Sequence, residues 1–374
     1  MGSMKKTHIV ASRPTPLLFE DKPLFGLDIG HTSVRVVQIV KGLKKPRIIG
    51  YGSATFDSVA IEDGEIVRPE VIAEATLKLF KTNLVGDITT KRVAMSVPVA
   101  RAFTRSIDAM KLSDKEIAEA VQTEVEQYIP AAIESLYIDY TRVVDKKGRA
   151  SVSIIAMPRK IVDSYVILAR MLGLEVVLIQ TSSGAGANLF SHDAQSDLAT
   201  VLVDFGSDSA DITIYDKNPI ISGTAPCGGE QITSIIGKTL GVTEKEALII
   251  KSRYGMSVSK KQQQIENALK PTLSLLTREI RRTIRYYEER SKTKRSVAQI
   301  VVMGGGANMP GLADYLTNDL RLPVRAFDPS TYVSYGRLQP VGAGERMSYV
   351  TAVGLALYDS SEVFRTCLIC SPLI

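Results

Sequence analysis

The sequence lacks tryptophan, contains only three cysteines in 374 residues and has no long hydrophobic run. Three unevenly spaced cysteines are too few for a disulfide framework, which favours a reducing compartment. Charged residues, glycine or proline interrupt every apolar stretch before it reaches the ~18 residues that a membrane-spanning helix needs. No apolar segment of a secretory signal follows the first residues. We therefore expect a cytoplasmic protein that does not cross a membrane by itself.

The composition is that of a globular protein, with 45% hydrophobic and 23% charged residues, and its length predicts two or three domains. The formal net charge is +6, and its densest source lies between residues 278 and 295. This segment repeats apolar residues every three or four positions, so we interpret its arginines as the solvated face of an amphipathic helix. No nucleic-acid-binding motif accompanies the charge, and we expect no nucleic acid as a partner.

One motif occurs twice, from Leu27 to Ser33 and from Val203 to Ser209: an apolar strand, then Asp, any residue, Gly and small hydroxyl residues. Glycine in such a turn lets backbone N–H groups converge on a phosphate, to which hydroxyls donate further hydrogen bonds. Asp at the strand end can hold Mg²⁺ through its water shell. A single Asp-x-Gly turn is more often a plain hairpin, but two facing turns would clamp a polyphosphate.

Two glycine clusters add to this pattern. Gly228 and Gly229 open a predicted helix, where unpaired N–H groups favour an anion. Three consecutive glycines at 304–306 follow the apolar strand 298–303, and a flat base could lie against their bare backbone.

In this order and spacing, the motifs resemble the phosphate-1, phosphate-2 and adenosine motifs of the actin, Hsp70 and sugar-kinase superfamily. Two segments resemble the PilM family of type IV pilus assembly proteins: 119–130, whose last three residues are Tyr-Ile-Pro, and 228–233. The PilM family is similar in fold to the cell-division protein FtsA. The resemblance implies an α/β, actin-like (FtsA/PilM-like) two-lobed fold with duplicated ribonuclease-H-like subdomains and an inserted α+β subdomain, 1C.

The resemblance also implies a division of the chain. A flexible leader covers residues 1–22, subdomain 1A covers 23–99 and 181–197, 1C covers 100–180, 2A covers 198–228 and 297–360, 2B covers 229–296, and a tail covers 361–374. Within 1C, Ser113 and Glu116 have the spacing of a capping box at the start of a helix. The small residues of 181–188 would form a connecting helix that serves either close packing or hinge motion.

By the same resemblance, the protein would bind ATP and Mg²⁺, with Asp28 and Asp204 facing the metal. The implied nucleotide contacts are Gly30, Thr32, Ser33, Gly206, Ser207, Gly228, Gly229, Lys251, Gly304, Gly305, Gly306 and Asn308. Relatives usually carry a carboxylate three residues before this lysine, where the present chain has Leu248. A ribose contact would then come from Glu246, Glu230 or water.

The implied partner is the short cytoplasmic N-terminal tail of a PilN-like membrane protein, with a pilus motor ATPase or platform protein as a further candidate. Docking to that tail would place the chain at the inner face of the cytoplasmic membrane. We expect the groove between 1A and the inserted module, where a strand edge could pair with an extended peptide. Tyr128, Ile129 and Pro130 end the capped helix of that module and are candidate contacts, although core packing explains them equally well.

Three alternatives stay open at this point. A sugar kinase of the same superfamily would need a carboxylate base for its acceptor, but the candidates Glu119, Glu124 and Glu126 have the spacing of a solvated helix face. An FtsA-like scaffold would need a C-terminal amphipathic membrane helix, for which residues 363–374 are a poor candidate. The third alternative is that ATP acts without turnover as a clamp between the lobes, since no residue outside the two Asp turns is evident as the base that would position a water.

Overall fold

The computed structural model describes residues 22–42, 44–109, 112–144, 150–290 and 295–359. The predicted leader, apart from Lys22, and the predicted tail lie outside these ranges. The strands are β1 (Phe25–Ile29), β2 (Ser33–Val40), β3 (Arg47–Thr55), β4 (Ile61–Glu62), β5 (Glu65–Ile66), β6 (Leu84–Gly86), β7 (Arg92–Val97), β8 (Phe103–Asp108), β9 (Leu136–Val144), β10 (Ala150–Pro158), β11 (Glu175–Thr181), β12 (Thr200–Phe205), β13 (Ala210–Tyr215), β14 (Pro219–Ala225), β15 (Gln299–Met303) and β16 (Val324–Ala326). The α-helices are α1 (Pro69–Thr82), α2 (Asp114–Tyr128), α3 (Arg159–Met171), α4 (Ser182–Phe190), α5 (Gly229–Leu240), α6 (Glu244–Arg253), α7 (Gln262–Arg290), α8 (Leu312–Leu320) and α9 (Val350–Ala356).

The first lobe is built on a six-stranded sheet in the order β11-β7-β1-β2-β3-β6. Strands β1, β2 and β3 form an antiparallel meander, and β7 and β11 extend the sheet in parallel with β1. Every residue of β1 is buried, as expected for a central strand that is covered on both faces. Apolar residues of α1 and α3 pack with β1 and β7 in one core cluster.

The second lobe repeats this arrangement on a five-stranded sheet in the order β14-β13-β12-β15-β16. Strands β12, β13 and β14 form the antiparallel meander, and β15 and β16 continue in parallel with β12. The repeated sequence motif therefore marks a repeated α/β subdomain, and the duplicated architecture predicted from the sequence is confirmed.

Helix α7 is the longest helix of the second lobe, and its two sides differ in burial. Leu273, Leu276 and Ile280 are fully buried, whereas Arg278 and Arg282 are exposed. The prediction of an amphipathic helix for this basic segment is confirmed. None of the helices within the described ranges is both long and apolar enough to cross a membrane.

The inserted module has a three-stranded antiparallel sheet in the order β8-β10-β9, with α2 packed on one face. The capping box at its first turn is confirmed: the Glu116 N–H donates to Ser113 Oγ, and the Ser113 N–H donates to Glu116 Oε2 at 2.7 Å. The insert is shorter than the predicted 100–180, because β11 pairs in parallel with β7 and α3 buries its apolar side in the first lobe. The described strands β8, β9 and β10 and helix α2 form the separate sheet-and-helix layer of the module.

Helices α4 and α9 lie between the two lobes. They pack against each other, and α9 also contacts β1, while α4 contacts β11 and β12. One core cluster joins residues of both sheets, such as Val37 and Leu202, with Phe190 of α4 and Val353 of α9. The two lobes therefore meet on a shared apolar layer.

Candidate functional site

A cleft of about 790 Å³ lies between the two lobes, at the carboxyl ends of their parallel strands. From the first lobe it is lined by Asp28 of β1, Ser96 of β7 and Ser182, which follows β11. From the second lobe it is lined by Asp204 of β12 and by Gly304, which follows β15. Carboxyl ends of parallel strands are where open α/β sheets bind their ligands.

The structure brings most of the predicted nucleotide and metal residues together in this one cleft. Those that line it are Asp28, Gly30, Thr32, Ser33, Asp204, Gly206, Ser207, Gly229, Lys251, Gly304, Gly305 and Gly306. Gly228 and Asn308 do not line it. Asn308 instead uses its side-chain amide to donate a hydrogen bond to the Gly305 carbonyl at 3.2 Å, within its own short 3₁₀ turn.

Asp28 is held at the floor of the cleft by two polar neighbours. Its Oδ1 accepts a hydrogen bond of 2.7 Å from Ser96 Oγ, and its Oδ2 lies 3.9 Å from an Arg35 guanidinium nitrogen. Burial raises the pKa of Asp28 above its ordinary value, although Arg35 and Ser96 act in the opposite direction. Ser96 and Arg35 are thus positioning residues that the sequence patterns did not single out.

Asp204 faces a second carboxylate that sequence reasoning missed. Asp211 of β13 is its direct cross-strand partner, lines the same cleft and accepts a 2.8 Å hydrogen bond from Thr224 Oγ1. Burial, then the charges of Asp211 and Asp28, raise the pKa of Asp204 to about 7 against the opposing effect of Arg35. Burial also raises the pKa of Asp211 to about 6, with Thr224 opposing it.

These desolvated, mutually repelling carboxylates fit a bound divalent cation, which would stabilise their ionised forms. Mg²⁺ commonly uses one or two protein carboxylates and completes its shell with waters and substrate phosphates. Within the described ranges, no group of three His, Cys, Asp or Glu side chains forms a ready-made metal cage. The donor set therefore suits Mg²⁺ that arrives with a phosphate ligand better than a metal bound by protein alone.

Gly304 connects the glycine cluster to the second Asp turn. Its φ is +83°, and a Cβ at this position would lie 2.2 Å from Asp204 Oδ1 and 2.8 Å from the Phe205 carbonyl. A side chain would be strained by the backbone conformation and would displace the Asp204 carboxylate. This glycine therefore leaves the space in which Asp204 can face the cleft.

The first turn of α5 is hydrogen-bonded to the second Asp turn, at Gly206 and Ser207. The N–H groups of Gly229 and Glu230 donate hydrogen bonds of 2.9 Å to the carbonyls of Gly206 and Ser207, respectively. A Cβ on Gly228 would lie 2.2 Å from the Ser207 carbonyl oxygen, so this glycine permits the close approach. Anion binding by the opening N–H groups of this helix stays a prediction, and these two already have partners.

Lys251 reaches the cleft from α6. Its Nζ donates to the Gly229 carbonyl at 2.7 Å and to Thr233 Oγ1 at 3.0 Å. Burial lowers the pKa of Lys251, while the nearby Glu230 charge raises it. Leu248, one helical turn earlier, is 51% exposed and also lines the cleft, so this wall combines an ammonium group with an apolar side chain.

Comparison with known proteins gives the family. The family described as "Type IV pilus assembly protein PilM" matches residues 26–360. The cell division protein FtsA of Streptococcus pneumoniae is 22% identical over 348 residues, which cover 82% of this chain and 75% of FtsA.

Solved structures with the same fold include the PilM-PilN type IV pilus biogenesis complex, at 22% identity and a TM-score of 0.74, covering 90% of this chain and 98% of the matched chain. MreB5 of Spiroplasma citri bound to AMPPNP matches at 13% identity and a TM-score of 0.52, covering 92% and 97%. The predicted actin-like fold is confirmed by these similarities, and the family match over almost the whole chain shows that this protein belongs to the PilM family of type IV pilus assembly proteins.

Proposed function

We propose that this PilM-family protein binds ATP with Mg²⁺ in the cleft and docks the N-terminal tail of a PilN-like membrane protein from the cytoplasmic side. The observation that carries the nucleotide part is the convergence of two Asp-x-Gly turns and a glycine cluster on one cleft. The cleft volume of about 790 Å³ lies within the range of roughly 300–1,000 Å³ that is usual for ligand sites. A similar fold, that of MreB5, was solved with AMPPNP.

The assignment of roles follows from the geometry of the cleft. Asp28 and Asp204 would hold the metal, directly or through water, and Asp211 would add negative charge beside Asp204. Ser96 fixes the orientation of Asp28, and Thr224 that of Asp211. Hydroxyls of the two turns, from Thr32, Ser33 and Ser207, would donate to phosphate oxygens. Bound Mg²⁺ would neutralise phosphate charge. The chain would thereby bind one ligand with residues of both lobes, which stabilises the closed arrangement.

Hydrolysis is expected to be slow, below the ordinary enzyme range of ~1–10³ turnovers per second. The carboxylates of Asp28 and Asp204 are assigned to the cation, and Asp211 lies beside them, so none of these three is set apart as the base for an attacking water. Phosphate release under saturating ATP and Mg²⁺ measures this rate. Turnover within the ordinary range that one cleft substitution abolishes would contradict a clamp role, and phosphate transfer to a sugar would support the kinase alternative.

The partner part rests on a second, smaller cavity of about 140 Å³. It lies between the insert sheet, helix α4 and the β13–β14 hairpin. We propose it as part of the groove that the sequence predicts between the first lobe and the inserted module. Its volume is below that of a typical small-molecule site, so a few side chains of a peptide fit it better than a whole metabolite. The related PilM structure was solved as a complex with PilN.

Tyr128, Ile129 and Pro130 do not line this cavity. Tyr128 is 55% exposed, and the Arg105 guanidinium lies over its ring at 3.5 Å from the centroid. Ile129 packs against the core of the insert. A partner contact through these residues stays a prediction, and the packing of Ile129 agrees with the alternative of a core role.

Placing a positive charge in the small cavity is expected to weaken tail binding at least tenfold. Thr141 of β9 lines the cavity, and Thr141→Lys would put an ammonium group in the proposed binding space. The matched control is Gln127→Lys, on the exposed surface of α2 in the same module. Fluorescence anisotropy with a labelled PilN-like tail peptide measures both affinities. If the peptide binds wild type, Thr141→Lys and Gln127→Lys with equal affinity, the binding groove is not at this cavity. If the peptide binds none of the three, the proposed partner is wrong.

A further inference from the structure

Asp139 lies in a row of three residues across the open face of the insert sheet. In the strand register, Ile155 of β10 is paired with Asp139 of β9 on one side and with Thr104 of β8 on the other. All three line the small cavity. The opposite face of the sheet carries Val152 and Ile154, which are buried against α2. The carboxyl group of Asp139 is therefore placed at the wall of the cavity, beside an apolar side chain.

The carboxyl group of Asp139 is only partly exposed to solvent and has little polar compensation for its lost hydration. Its Oδ1 accepts a hydrogen bond of 2.8 Å from the Tyr140 N–H. Burial raises the pKa of Asp139 to about 6, and the Tyr140 hydrogen bond opposes that rise. Neither influence comes from a cation. Ionising such a group is costly until an opposite charge approaches, so the site favours a cationic ligand.

The other charged or titratable groups around the cavity are few. They are Lys217 on the β13–β14 connection and the phenols of Tyr140, Tyr215 and Tyr358. Lys217 is not among the groups that shift the pKa of Asp139. A metal cation is a poor occupant, because Asp139 is the only His, Cys, Asp or Glu among the described residues that line this cavity. The hydroxyls of Thr104, Thr141 and Ser153 offer further acceptors to an ammonium or guanidinium group.

We infer that the cavity receives one lysine or arginine side chain of the docked tail, paired with the Asp139 carboxylate. The inference rests on the proposed partner function and adds the chemistry by which the tail is recognised. Ile155 would pack along the aliphatic stem of the basic side chain while the charged head meets Asp139, as long cationic side chains commonly bind. Burial of the pair would make its charge complementarity count more than that of an exposed ion pair.

The test compares full-length wild-type protein with Asp139→Asn, which removes the charge and keeps the shape. Glu134→Gln, an exposed site in the same module, is the control for the loss of one negative charge. The probe is a labelled, N-acetylated PilN-like tail peptide, with single replacements of each lysine by norleucine and each arginine by citrulline. At pH 7.5 we expect Asp139→Asn to weaken binding about tenfold or more, with Glu134→Gln unchanged.

One peptide replacement should produce the same loss, and Asp139→Asn should add little to it, because both changes remove the same ion pair. The pH dependence gives a separate readout. Asp139 is mostly protonated at pH 5, one unit below its pKa of about 6, so wild-type affinity should rise about tenfold from pH 5 to pH 7.5. The Asp139→Asn variant should lack this component of the rise.

Tight binding of the tail with equal affinity for wild type and Asp139→Asn would overturn the ion pair and leave the partner function standing. Tight binding by a peptide without any basic side chain would have the same meaning. Failure of the tail to bind any of the proteins would overturn both the ion pair and the proposed docking.

Discussion

Replacing Asp204 with asparagine is expected to remove most of the rise in melting temperature that ATP and Mg²⁺ produce in the wild-type protein. A ligand that binds only the folded state stabilises it by about 2.7 kcal/mol at a concentration of 100 Kd. Asn keeps the shape of the side chain but does not supply the charge that a divalent cation needs. Asp28→Asn should have the same effect, because Asp28 faces the same cleft from the other lobe.

Without ligand, the Asp204→Asn variant should be no less stable than the wild-type protein at pH 7.5. The pKa of Asp204 is raised to about 7, above its value of 3.8 in an unfolded chain, so the folded protein binds more protons between these values. Stability therefore falls as pH rises through this window, and the asparagine variant avoids that loss. If this variant melts no lower than wild type without ligand but shows no rise in melting temperature with ATP and Mg²⁺, the loss is one of nucleotide binding and not of folding.

Asp314→Asn supplies the control for this experiment. Asp314 is an exposed residue of α8 that does not line the cleft, so its nucleotide-dependent shift should equal that of wild type. Differential scanning fluorimetry with and without Mg²⁺ measures all four proteins. A full nucleotide response in both Asp28→Asn and Asp204→Asn would remove the two-turn clamp as an explanation.

The sequence was sufficient to locate both Asp turns because each turn is local. Strand, Asp, Gly and hydroxyl residues follow one another within a few positions, and glycine in a turn has a specific steric meaning. The same motif occurs at the start of each half, and each half contains a three-stranded antiparallel meander that two further strands extend in parallel. The first sheet has the antiparallel strand β6 in addition. Local chemistry located the two Asp turns, whereas the actin-like fold and the full set of cleft residues were implied by the resemblance to known families.

Asp211 and Arg35 were missed because their roles depend on register. Asp211 faces the cleft opposite Asp204 only once β12 and β13 pair with this alignment, and Arg35 is likewise the cross-strand partner of Asp28. Ser96 reaches Asp28 from a strand 68 residues away in sequence. A sequence pattern records which residues alternate along a strand but not which of them lie opposite each other.

The position at which the inserted module ends could not be predicted from a local sequence pattern either. Residues 159–181 continue the α/β alternation of the module that precedes them, so the sequence offered no boundary. In the structure, Tyr165 of α3 is buried in the first-lobe core, and β11 pairs with β7. The small cavity is formed by the insert, α4 and the second lobe together, and such a space exists only after all three have packed.

The packing of α4 on α9 explains why the predicted connecting segment is rich in small residues. A Cβ on Gly354 of α9 would lie 2.0 Å from the Ala185 carbonyl oxygen of α4, and Asn188 donates a hydrogen bond of 2.9 Å to the Gly354 carbonyl. The neighbouring contact is equally close, since a Cβ on Gly26 of β1 would lie 2.2 Å from the Ala352 carbonyl oxygen. Backbone therefore meets backbone where the lobes join.

Gly354→Ala is accordingly expected to destabilise the protein by about 1–3 kcal/mol, the usual cost of overfilling a packed interior. Helix propensity acts in the opposite direction, because alanine is favoured over glycine in a helix by about 1 kcal/mol. A net loss of stability in urea denaturation would therefore show that close packing outweighs propensity here. Gly344→Ala is the control, since a Cβ there would meet nothing within 4 Å and should leave the unfolding midpoint almost unchanged. If Gly354→Ala instead matched or exceeded wild-type stability, α4 and α9 would have room to separate, and the close contact would not be what holds the two lobes together.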